Sequence, residues 1–360
     1  MSYINAIETA LPDNCFSQET FTGFYLNSTD EETDQRKIKI VSKRSGINHR
    51  YSVIKDFGTD PSNFEFFVKK ASLFPEPTLT DRMRLYKKHA VALSVKAIKK
   101  IPDFNTVKHT ITHLITVTCT GMFAPGSDID LINELQLNIS ISRSSINFMG
   151  CNAAIIALKQ ADTICKGSPD ATVLIVCTEL CTIHFQKQYN DDYLLSNLIF
   201  GDGCAAVLIS SKPSSPYVHP VKIDRFDSMI AYNGYKDMAW QLSETGFIMN
   251  LSSYVSSIIK ESIVPLFDSI HLDPKNIDHW AIHPGGKKIV DDVAAALNLT
   301  ANDVSDSYDV LKNYGNMSSP TVLFVLKQIL EKPQNKKGET AFVAAFGPGL
   351  SIETMQLRYV

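Results

Sequence analysis

Cys151 stands at a point in the chain where a thiol could become a nucleophile. An apolar run ends at Gly150, and a segment with helical spacing follows, so the pattern predicts a strand, a tight turn and a helix with Cys151 in its first turn. A thiolate at a helix N-terminus is stabilised by the helix dipole and the free N–H groups, which lowers the thiol pKa. The alternative is a buried cysteine packed as a small hydrophobe, which is the commoner role for any single cysteine.

His283 and Asn316 occupy comparable positions later in the chain. His283 ends a predicted strand and is followed by Pro284-Gly285-Gly286, and Asn316 lies in a loop that leads into a predicted helix. The histidine could hold the cysteine as a thiolate, and the histidine and the asparagine could together form an oxyanion hole for a thioester. Each also has a structural alternative, because the histidine could cap a strand and the asparagine a helix. Spacing alone leaves both interpretations open.

The composition bounds the classes of function. The chain has 360 residues, 44% of them hydrophobic and 20% charged, as is typical of a globular protein with a large core. Its net charge of −3 gives no reason to expect nucleic acid or an anionic membrane as a partner. Neither a signal peptide nor a membrane-spanning stretch is expected. Seven scattered cysteines without a CxxC pair favour reduced thiols and a cytoplasmic location over a disulfide framework or a zinc site.

The spacing of apolar residues predicts the strands and helices that must position these residues. The predicted strands and helices follow one another in the same order in two parts of the chain. Strands are predicted at 111–119, 172–177, 204–210, 277–283, 340–346 and 351–360. Helices are predicted at 31–43, 81–100 (with Thr80 as N-cap), 127–137, 250–269, 286–298 and 317–331. The repeat favours a duplicated α/β unit with a sheet in each half and helices between and outside the sheets.

A break in the chain separates the two predicted halves. The segment Lys212-Pro-Ser-Ser-Pro216 is typical of a linker. We therefore predict an N-terminal half, residues 1–212, that carries Cys151, and a C-terminal half, residues 213–360, that carries His283 and Asn316.

Five short strings resemble a known family in content and in order. They are Gly150-Cys151, Phe200-Gly-Asp-Gly203, His283-Pro-Gly-Gly286, Tyr314-Gly-Asn316 and Phe346-Gly-Pro-Gly349. Together they resemble the type III polyketide synthases, the chalcone and stilbene synthase family, and the surrounding sequence resembles its microbial branch. The resemblance implies an α/β fold of the thiolase-like type, a duplicated αβαβα layered arrangement.

The resemblance also implies roles for individual residues. Cys151 would carry the acyl chain, and His283 and Asn316 would complete a catalytic triad. Phe200 would be the aromatic gatekeeper between the substrate tunnel and the reacting atoms, and Met249 would occupy the second gatekeeper position.

The remaining implied substrate contacts line the cavity and its mouth. Lys37 and Arg44 fall near the positions that hold the coenzyme A phosphates in the family, and Ile40 replaces a basic residue between them. Trp240 stands where plant members have a small residue, so it would narrow one wall. Ala124 matches a position from which plant members insert a methionine into the cavity of the partner subunit. Gly347 and Pro348 belong to the last string, for which a simple turn is the alternative.

The implied reaction is an iterative condensation. Cys151 would take an acyl group from an acyl thioester starter, and the enolate formed by decarboxylation of malonyl-CoA would attack it and lengthen the chain by two carbons. After a few rounds the product would cyclise to a pyrone or a resorcinol. Coenzyme A thioesters are the expected substrates, with no metal and no further cofactor. A homodimer is expected, and an acyl carrier protein is a possible donor of the starter.

Two alternatives stay open at this stage. A ketoacyl-ACP synthase III shares the fold and the triad, but it extends its substrate once and uses an acyl carrier protein. A non-catalytic thiolase-fold partner subunit is the second alternative, which the intact set of Cys151, His283 and Asn316 disfavours.

Overall fold

Strands and helices alternate along the computed structural model, which describes residues 1–214, 216–217 and 219–360. The strands are β1 (Ser2–Ala10), β2 (Asn14–Ser17), β3 (His49–Ser52), β4 (His113–Thr118), β5 (Ser142–Asn147), β6 (Thr172–Leu180), β7 (Asp202–Ser210), β8 (Val221–Ile230), β9 (Met238–Ser243), β10 (Gly246–Leu251), β11 (His279–Ile282), β12 (Thr340–Gly347) and β13 (Ser351–Tyr359). The helices are α1 (Gln18–Leu26), α2 (Glu32–Arg44), α3 (Leu79–Ile98), α4 (Phe104–Val107), α5 (Ser127–Leu135), α6 (Ala153–Gly167), α7 (Asp191–Ile199), α8 (Val255–Ser269), α9 (Lys287–Ala296), α10 (Ser305–Tyr314) and α11 (Thr321–Leu330).

One mixed sheet contains most of the strands, in the order β11-β12-β13-β8-β1-β7-β6-β4-β5. The strands of the two halves join where Ser2–Ile4 pairs antiparallel with Val221–Ile223. The expectation of a separate sheet in each half is therefore wrong at this junction. Strand β1 pairs antiparallel on both edges, with β7 and with β8, and its side chains are mostly buried because layers cover both faces of the sheet there. Two further pairs, β2 with β3 and β9 with β10, form small antiparallel ribbons.

Two helices lie between the strands of the two halves. Helix α6 contacts β4, β6 and β7 as well as β12 and β13, and helix α11 contacts β1 and β7 as well as β11 and β12. Alanines at 153, 154 and 157 of α6 are fully buried, so this helix can approach both sets of strands closely. Helix α11 is buried nearly all round, as its apolar sequence predicts.

Three apolar clusters fill the spaces between layers, and the alternation of β6 shows how they are built. Val173, Ile175 and Cys177 face the central cluster around α6 and α11, whereas Leu174 and Val176 face an outer cluster with α1, α3 and α5. A third cluster packs α8 and α9 against the outer face of β11 and β12. The order helix, strands, helix, strands, helix agrees with the predicted αβαβα layers.

Most predicted elements exist, but several boundaries differ. Helix α3 begins at Leu79, so Thr80 as its N-cap is wrong. The cap is Thr78, whose hydroxyl accepts from the Asp81 amide at 3.3 Å while the Asp81 carboxylate accepts from the Thr78 amide at 3.1 Å. This reciprocal pair is a capping box.

The predicted helix at 250–269 is also partly wrong. Its first residues belong to β10, and the helix proper begins at Val255. Strand β8 and the β9–β10 hairpin were not predicted at all. The predicted break at Lys212–Pro216 includes Ser215, which lies outside the described residues. Within the described part of the chain, no helix is both long and apolar enough to cross a membrane.

Candidate active site

The turn before α6 positions Cys151. Gly150 has φ +83°, and its carbonyl accepts from the Ala153 amide at 3.1 Å. Helix α6 starts at Ala153 with Asn152 as N-cap, so Cys151 precedes the cap and does not lie in the first helical turn as predicted. A Cβ at position 150 would lie 2.1 Å from Cδ of Pro348, so glycine is required both by the backbone and by this contact.

A loop of the C-terminal half closes against the same turn. The side-chain Nδ2 of Asn152 donates to the Ser351 hydroxyl at 2.8 Å, which connects the beginning of α6 to the beginning of β13. Gly347 packs against the side-chain amide of Asn152, and a Cβ at position 347 would lie 2.5 Å from the Asn152 Oδ1. Gly347 is thus a packing residue, and its neighbour Pro348 borders the cavity beside Cys151.

The side chain of Asn316 is oriented by its own loop. Its Oδ1 accepts from the Ser318 amide at 2.8 Å and from the Thr321 hydroxyl at 3.3 Å. These two bonds identify the other atom, Nδ2, as the donor that faces the site. It donates to the Gly285 carbonyl at 3.3 Å. The Asn316 side chain also acts to lower the pKa of the Cys151 thiol, so the structure brings these two residues, which are far apart in sequence, close together.

The backbone of Asn316 connects this contact to the gatekeeper position. Its amide donates to the Ile199 carbonyl at 2.9 Å, and its carbonyl accepts from the Gly201 amide at 2.9 Å. Phe200 between them forms an isolated parallel bridge with Asn316. Phe200 and Asn316 consequently hold a fixed position relative to each other.

His283 follows the end of β11 and is 1% exposed. Its amide donates to the Ala344 carbonyl at 2.8 Å, whereas neither ring nitrogen has a hydrogen-bond partner among the described residues. Burial lowers the pKa of His283 to about 3, so the imidazole is neutral at pH 7. The His283 ring lies close to Gly285, because a Cβ added to Gly285 would be 3.5 Å from the ring Nε2. The Gly285 carbonyl in turn accepts from Asn316 Nδ2. The site thus contains a neutral imidazole with both nitrogens free.

The thiol of Cys151 is protonated in this environment. Burial raises the pKa of Cys151 to about 12, and hydrogen bonds from Ser318 and Asn316 and the nearby charge of Glu179 modify that shift. The expected lowering of the thiol pKa by the helix N-terminus is wrong for this structure, because loss of hydration outweighs it. The Cys151 thiol and the His283 imidazole are therefore both uncharged at pH 7.

Glu179 is a buried carboxylate that the sequence analysis missed. Its Oε2 accepts from the Cys119 amide at 2.9 Å and the Thr120 hydroxyl at 2.7 Å, and its Oε1 accepts from the Ser319 hydroxyl at 2.8 Å. Burial raises the pKa of Glu179. A lone acidic residue at the end of an apolar β run was the available signal, since a carboxylate there must find donors.

A small chamber adjoins the Cys151 turn. It is lined by Cys119, Thr120, Gly150, Cys181, Phe200, Trp240, Ser318 and Pro348. A second small cavity shares part of this wall and is lined by Phe21, Arg50, Phe57, Cys181, Thr182, His184, Phe185, Tyr193, Ser196, Asn197, Phe200, Trp240, Phe247 and Met249. Cys181, Phe200 and Trp240 border both spaces and form the partition between them.

The β9–β10 hairpin carries two of the predicted wall residues. Trp240 and Met249 are direct partners across the hairpin, so their side chains share one face. The Trp240 indole donates to the Cys119 carbonyl at 2.8 Å. The next carbonyl, that of Thr120, accepts from His184 Nε2 at 2.8 Å, and His184 Nδ1 accepts from the Phe247 amide at 3.1 Å. His184, also missed from sequence, thereby fastens the hairpin to the chamber wall.

The other predicted substrate residues lie outside both cavities. Lys37 and Arg44 are exposed on α2, and Ala124 is exposed in the loop before α5. Within the described ranges, no three His, Cys, Asp or Glu side chains are grouped so that they could hold a metal ion.

Comparison with known proteins identifies the family pattern over nearly the whole chain. The model of the chalcone and stilbene synthase N-terminal domain matches residues 1–213, and that of the C-terminal domain matches residues 228–360. An "Alpha-pyrone synthesis polyketide synthase-like Pks18" of Mycobacterium tuberculosis is 31% identical over 371 residues, covering 99% of this chain and 90% of that protein. The protein of the same name from Mycobacterium bovis matches equally well.

Two solved structures illustrate the match in fold. PKS-I of the brown alga Ectocarpus siliculosus matches with a TM-score of 0.91 and 25% identity, covering 100% of this chain and 98% of that one. The C-terminal type III polyketide synthase domain of Steely1, a type I/III hybrid from Dictyostelium, gives 0.90 and 27%, covering 100% and 99%. These matches confirm the predicted fold class and the family resemblance.

The neutral state of Cys151 predicts how its reactivity depends on pH. Alkylation by iodoacetamide should increase about tenfold per pH unit from pH 7 to 10, because the reacting thiolate forms only as the pH approaches a raised pKa. A cysteine in an unstructured peptide, with a pKa of about 8.5, should level off near pH 9 in the same series. Peptide mass spectrometry resolves Cys151 from the six other cysteines. A fast Cys151 rate that is constant between pH 5 and 8 would contradict the neutral pair and indicate a preformed thiolate.

Proposed function

Because the chain belongs to the chalcone and stilbene synthase family, the type III polyketide synthases, we propose that it condenses malonyl-CoA repeatedly onto an acyl starter held on Cys151 and then cyclises the product. The observation that supports this assignment is that Asn316 of the second half acts on the pKa of the Cys151 thiol of the first half, next to a cavity that borders the Cys151 turn. The division into halves after residue 212 belongs to the proposal, and the ranges of the two family models support it. A cytoplasmic location stays a prediction.

In the loading step the neutral pair exchanges one proton. A free nitrogen of the His283 ring takes the proton of the Cys151 thiol as the sulfur attacks the carbonyl carbon of the starter thioester. The carbon–sulfur bond to coenzyme A breaks, and the departing thiolate takes that proton. The low pKa of His283 favours its return, because the imidazolium is costly in a buried site. The acyl group is left on Cys151 and both catalytic groups are neutral again.

In the decarboxylation step malonyl-CoA loses CO₂, and the electron pair of the broken bond moves onto its thioester oxygen as an enolate. Asn316 Nδ2 and a protonated nitrogen of the neutral His283 ring are the two proposed donors to that oxygen. Such donors are most effective where water is excluded. The fixed amide of Asn316, with its oxygen already occupied by Ser318 and Thr321, supports this role.

In the condensation step the enolate carbon attacks the acyl carbonyl on Cys151. The carbon–sulfur bond breaks, and its electron pair stays on the Cys151 sulfur as a thiolate. The lengthened chain is then a coenzyme A thioester, and this thiolate can take it up again with release of the coenzyme A thiolate. After the last round an enol oxygen of the chain attacks the terminal thioester carbonyl, coenzyme A leaves as its thiol with the enol proton, and a pyrone is released. Alternatively, an aldol carbon–carbon closure with loss of water, followed by hydrolysis of the thioester and loss of CO₂, gives a resorcinol. No cofactor beyond the coenzyme A thioesters enters this scheme.

The second cavity supports an alkyl or fatty acyl starter. Its wall includes the rings of Phe21, Phe57, Phe185 and Phe247, which an aliphatic chain can contact without unsatisfied polar groups. Trp240 lies in the wall that this cavity shares with the chamber, so the size of its side chain would set how much of an acyl chain can extend from one space into the other. A pyrone product is proposed by analogy, since the Mycobacterium relative is named for α-pyrone synthesis.

A homodimer through the edge of the large sheet is also part of this proposal. Strand β5 ends the sheet and pairs only with β4 among the described strands. Ile139, just before β5, is 95% exposed. Met122, shortly after β4, and Met149, shortly after β5, are about half exposed. An open edge with exposed apolar residues is a typical site for self-association.

The assignment is tested by product analysis. Malonyl-CoA supplied with a series of acyl-CoA starters should give products that contain two or more malonyl-derived units and have lost coenzyme A by cyclisation. Mass spectrometry of the products, with isotopically labelled malonyl-CoA, counts the extensions. Products of one extension only, formed only with an acyl carrier protein, would instead support a ketoacyl-ACP synthase III.

Substitution of the three catalytic residues separates loading from decarboxylation. Cys151→Ala should abolish attachment of the starter, and Cys165→Ala, which removes a buried thiol near the end of helix α6, should leave it intact. His283→Ala and Asn316→Ala should each slow malonyl-CoA decarboxylation about a hundredfold or more, because each removes one oxyanion donor. Release of labelled CO₂ is the measurement, and circular dichroism checks folding. Full decarboxylation by Asn316→Ala would remove that residue from the site.

The dimer is tested by charges at the exposed apolar positions. Ile139→Asp combined with Met122→Asp should shift the mass measured by light scattering from two chains to one, because two buried carboxylates per subunit would have to be desolvated. Leu242→Asp, at an exposed leucine of β9, is the matched control and should leave the mass unchanged. A single-chain mass for the unsubstituted protein would contradict the dimer outright.

A further inference from the structure

Arg50 of strand β3 is a buried cation with an incomplete set of protein partners. It is 1% exposed. Its Nε donates to Gln18 Oε1 at 3.0 Å, and its Nη1 donates to the carbonyls of Asn197 at 2.9 Å and Phe200 at 2.7 Å. A guanidinium has five N–H donors, two of them on each Nη. Three donors are therefore used, and the two on Nη2 have no hydrogen-bond partner among the described residues.

The charge of Arg50 also lacks a direct counterion. No carboxylate of the described residues lies within ion-pair distance of it. Asp202 acts on it only from a distance, because the Asp202 carboxylate accepts from the Val53 amide at 2.9 Å and from the amide and hydroxyl of Thr182 at 2.8 and 2.7 Å. Burial lowers the pKa of Arg50 to about 9, so the guanidinium keeps its charge at pH 7. A buried cation without a paired anion is costly, so an additional acceptor oxygen would be favourable.

Packing holds the guanidinium in one position. Its carbon atom lies 3.7 Å from the centre of the Phe21 ring, a cation–π contact. A Cβ added to Gly315 would be 2.9 Å from Cγ of Arg50, and one added to Gly201, which follows Phe200, would be 3.6 Å from its Cβ. The two unpaired donors of Nη2 are therefore fixed in place before any ligand arrives.

This fixed group belongs to the wall of the second cavity. Nη1 of Arg50 is bonded to the carbonyl of Phe200, so the guanidinium lies beside the partition from the chamber. Other polar side chains of this wall are already bonded within the protein: the Thr182 hydroxyl donates to Asp202, and both ring nitrogens of His184 have partners. Arg50 is the wall residue whose buried donors remain without a partner in the described chain.

The chemistry of these donors indicates the kind of group that would meet them. A guanidinium can only donate, and a ketone oxygen can only accept, so the two are complementary. Under the proposed function each condensation leaves a carbonyl on every second carbon. A chain that extends from the chamber into the second cavity would bring such oxygens past Phe200, while its hydrocarbon part contacts the aromatic rings.

We propose that Arg50 determines substrate specificity by donating from Nη2 to a keto oxygen of the acyl chain in the second cavity. The cavity then accepts chains that carry this oxygen in preference to purely aliphatic chains of equal length. The proposal rests on the proposed function and names the chemical class of chain that the same site selects. A growing chain would be held by this contact between rounds, whereas an aliphatic chain leaves the donors unpaired.

Competition between acyl-CoA starters tests this preference. Octanoyl-CoA is offered in equal amount with 3-oxo-, 5-oxo- or 7-oxooctanoyl-CoA in turn, and peptide mass spectrometry measures which acyl group is attached to Cys151. At least one keto position should be loaded about tenfold faster than the aliphatic chain, because a charge-assisted hydrogen bond is gained. If octanoyl is loaded as fast as all three keto chains, the proposal is overturned.

Two buried arginines provide a variant and its matched control. Arg50→Met removes the donors and should reduce the preference to within about twofold. Arg82 is also fully buried and donates to the carbonyls of Thr245, Ile183 and Phe185, but it lines neither cavity. Arg82→Met should therefore keep the preference even where its overall rate falls. A preference that survives Arg50→Met, or that Arg82→Met also abolishes, would contradict the proposed contact.

Folding of each variant is checked by circular dichroism. Arg50→Lys keeps the charge without the planar fork, and it should give an intermediate preference. The comparison of starters on the unsubstituted protein does not depend on how any variant folds.

Binding without reaction separates this proposal from the proposed function. The Cys151→Ala variant cannot be loaded, so calorimetric Kd values for the four acyl-CoAs report recognition alone and should follow the same order. Equal Kd values for all four would overturn the role of Arg50. Product formation from malonyl-CoA by the unsubstituted protein tests the proposed function, and its failure would leave the order of Kd values unaffected.

Discussion

The carboxylate of Glu179 is the interaction on which the geometry of the site depends. A fully buried carboxylate costs several kcal/mol unless hydrogen bonds replace its hydration. Here one oxygen accepts from Cys119 and Thr120 of the first half, and the other accepts from the Ser319 hydroxyl of the second half. The carboxylate can be satisfied only when both loops are in place. It therefore couples the chamber wall to the loop that orients Asn316.

Burial also decides the electrostatics of Cys151 and His283, the proposed catalytic pair. The same loss of hydration raises the pKa of Cys151 and lowers that of His283, so both groups are uncharged at neutral pH. A neutral imidazole can accept the thiol proton in one step and donate to an enolate oxygen in another. In a permanent thiolate–imidazolium pair, the imidazolium N–H would already be bound to the thiolate and could not donate to an enolate oxygen. The buried site thus favours a proton that moves during the reaction over a charge that is present before it.

The sequence predicted the site residues through local patterns. The three predicted residues, Cys151, His283 and Asn316, each lie next to the end of a predicted strand or helix. Such ends can be predicted where an apolar run is followed by Gly, Pro or Asn. The cavity walls were harder to predict. Residues 238–251 form a hairpin whose strands are short and whose turn, at Glu244 and Thr245, has no strong turn signal, so the segment was partly assigned to a helix. Glu179 and His184 were missed because their partners lie far away in the chain.

What the sequence determined by itself is the set of elements, their repeated order and the residue types that could do chemistry, because these depend on local spacing. What only the tertiary structure decided is which residues meet and in what protonation state. The position of Asn316 near Cys151 and the raised pKa of the Cys151 thiol both arise where two distant segments exclude water from each other. Long-range packing and desolvation have no signature in local spacing, so no pattern along the chain could have predicted them.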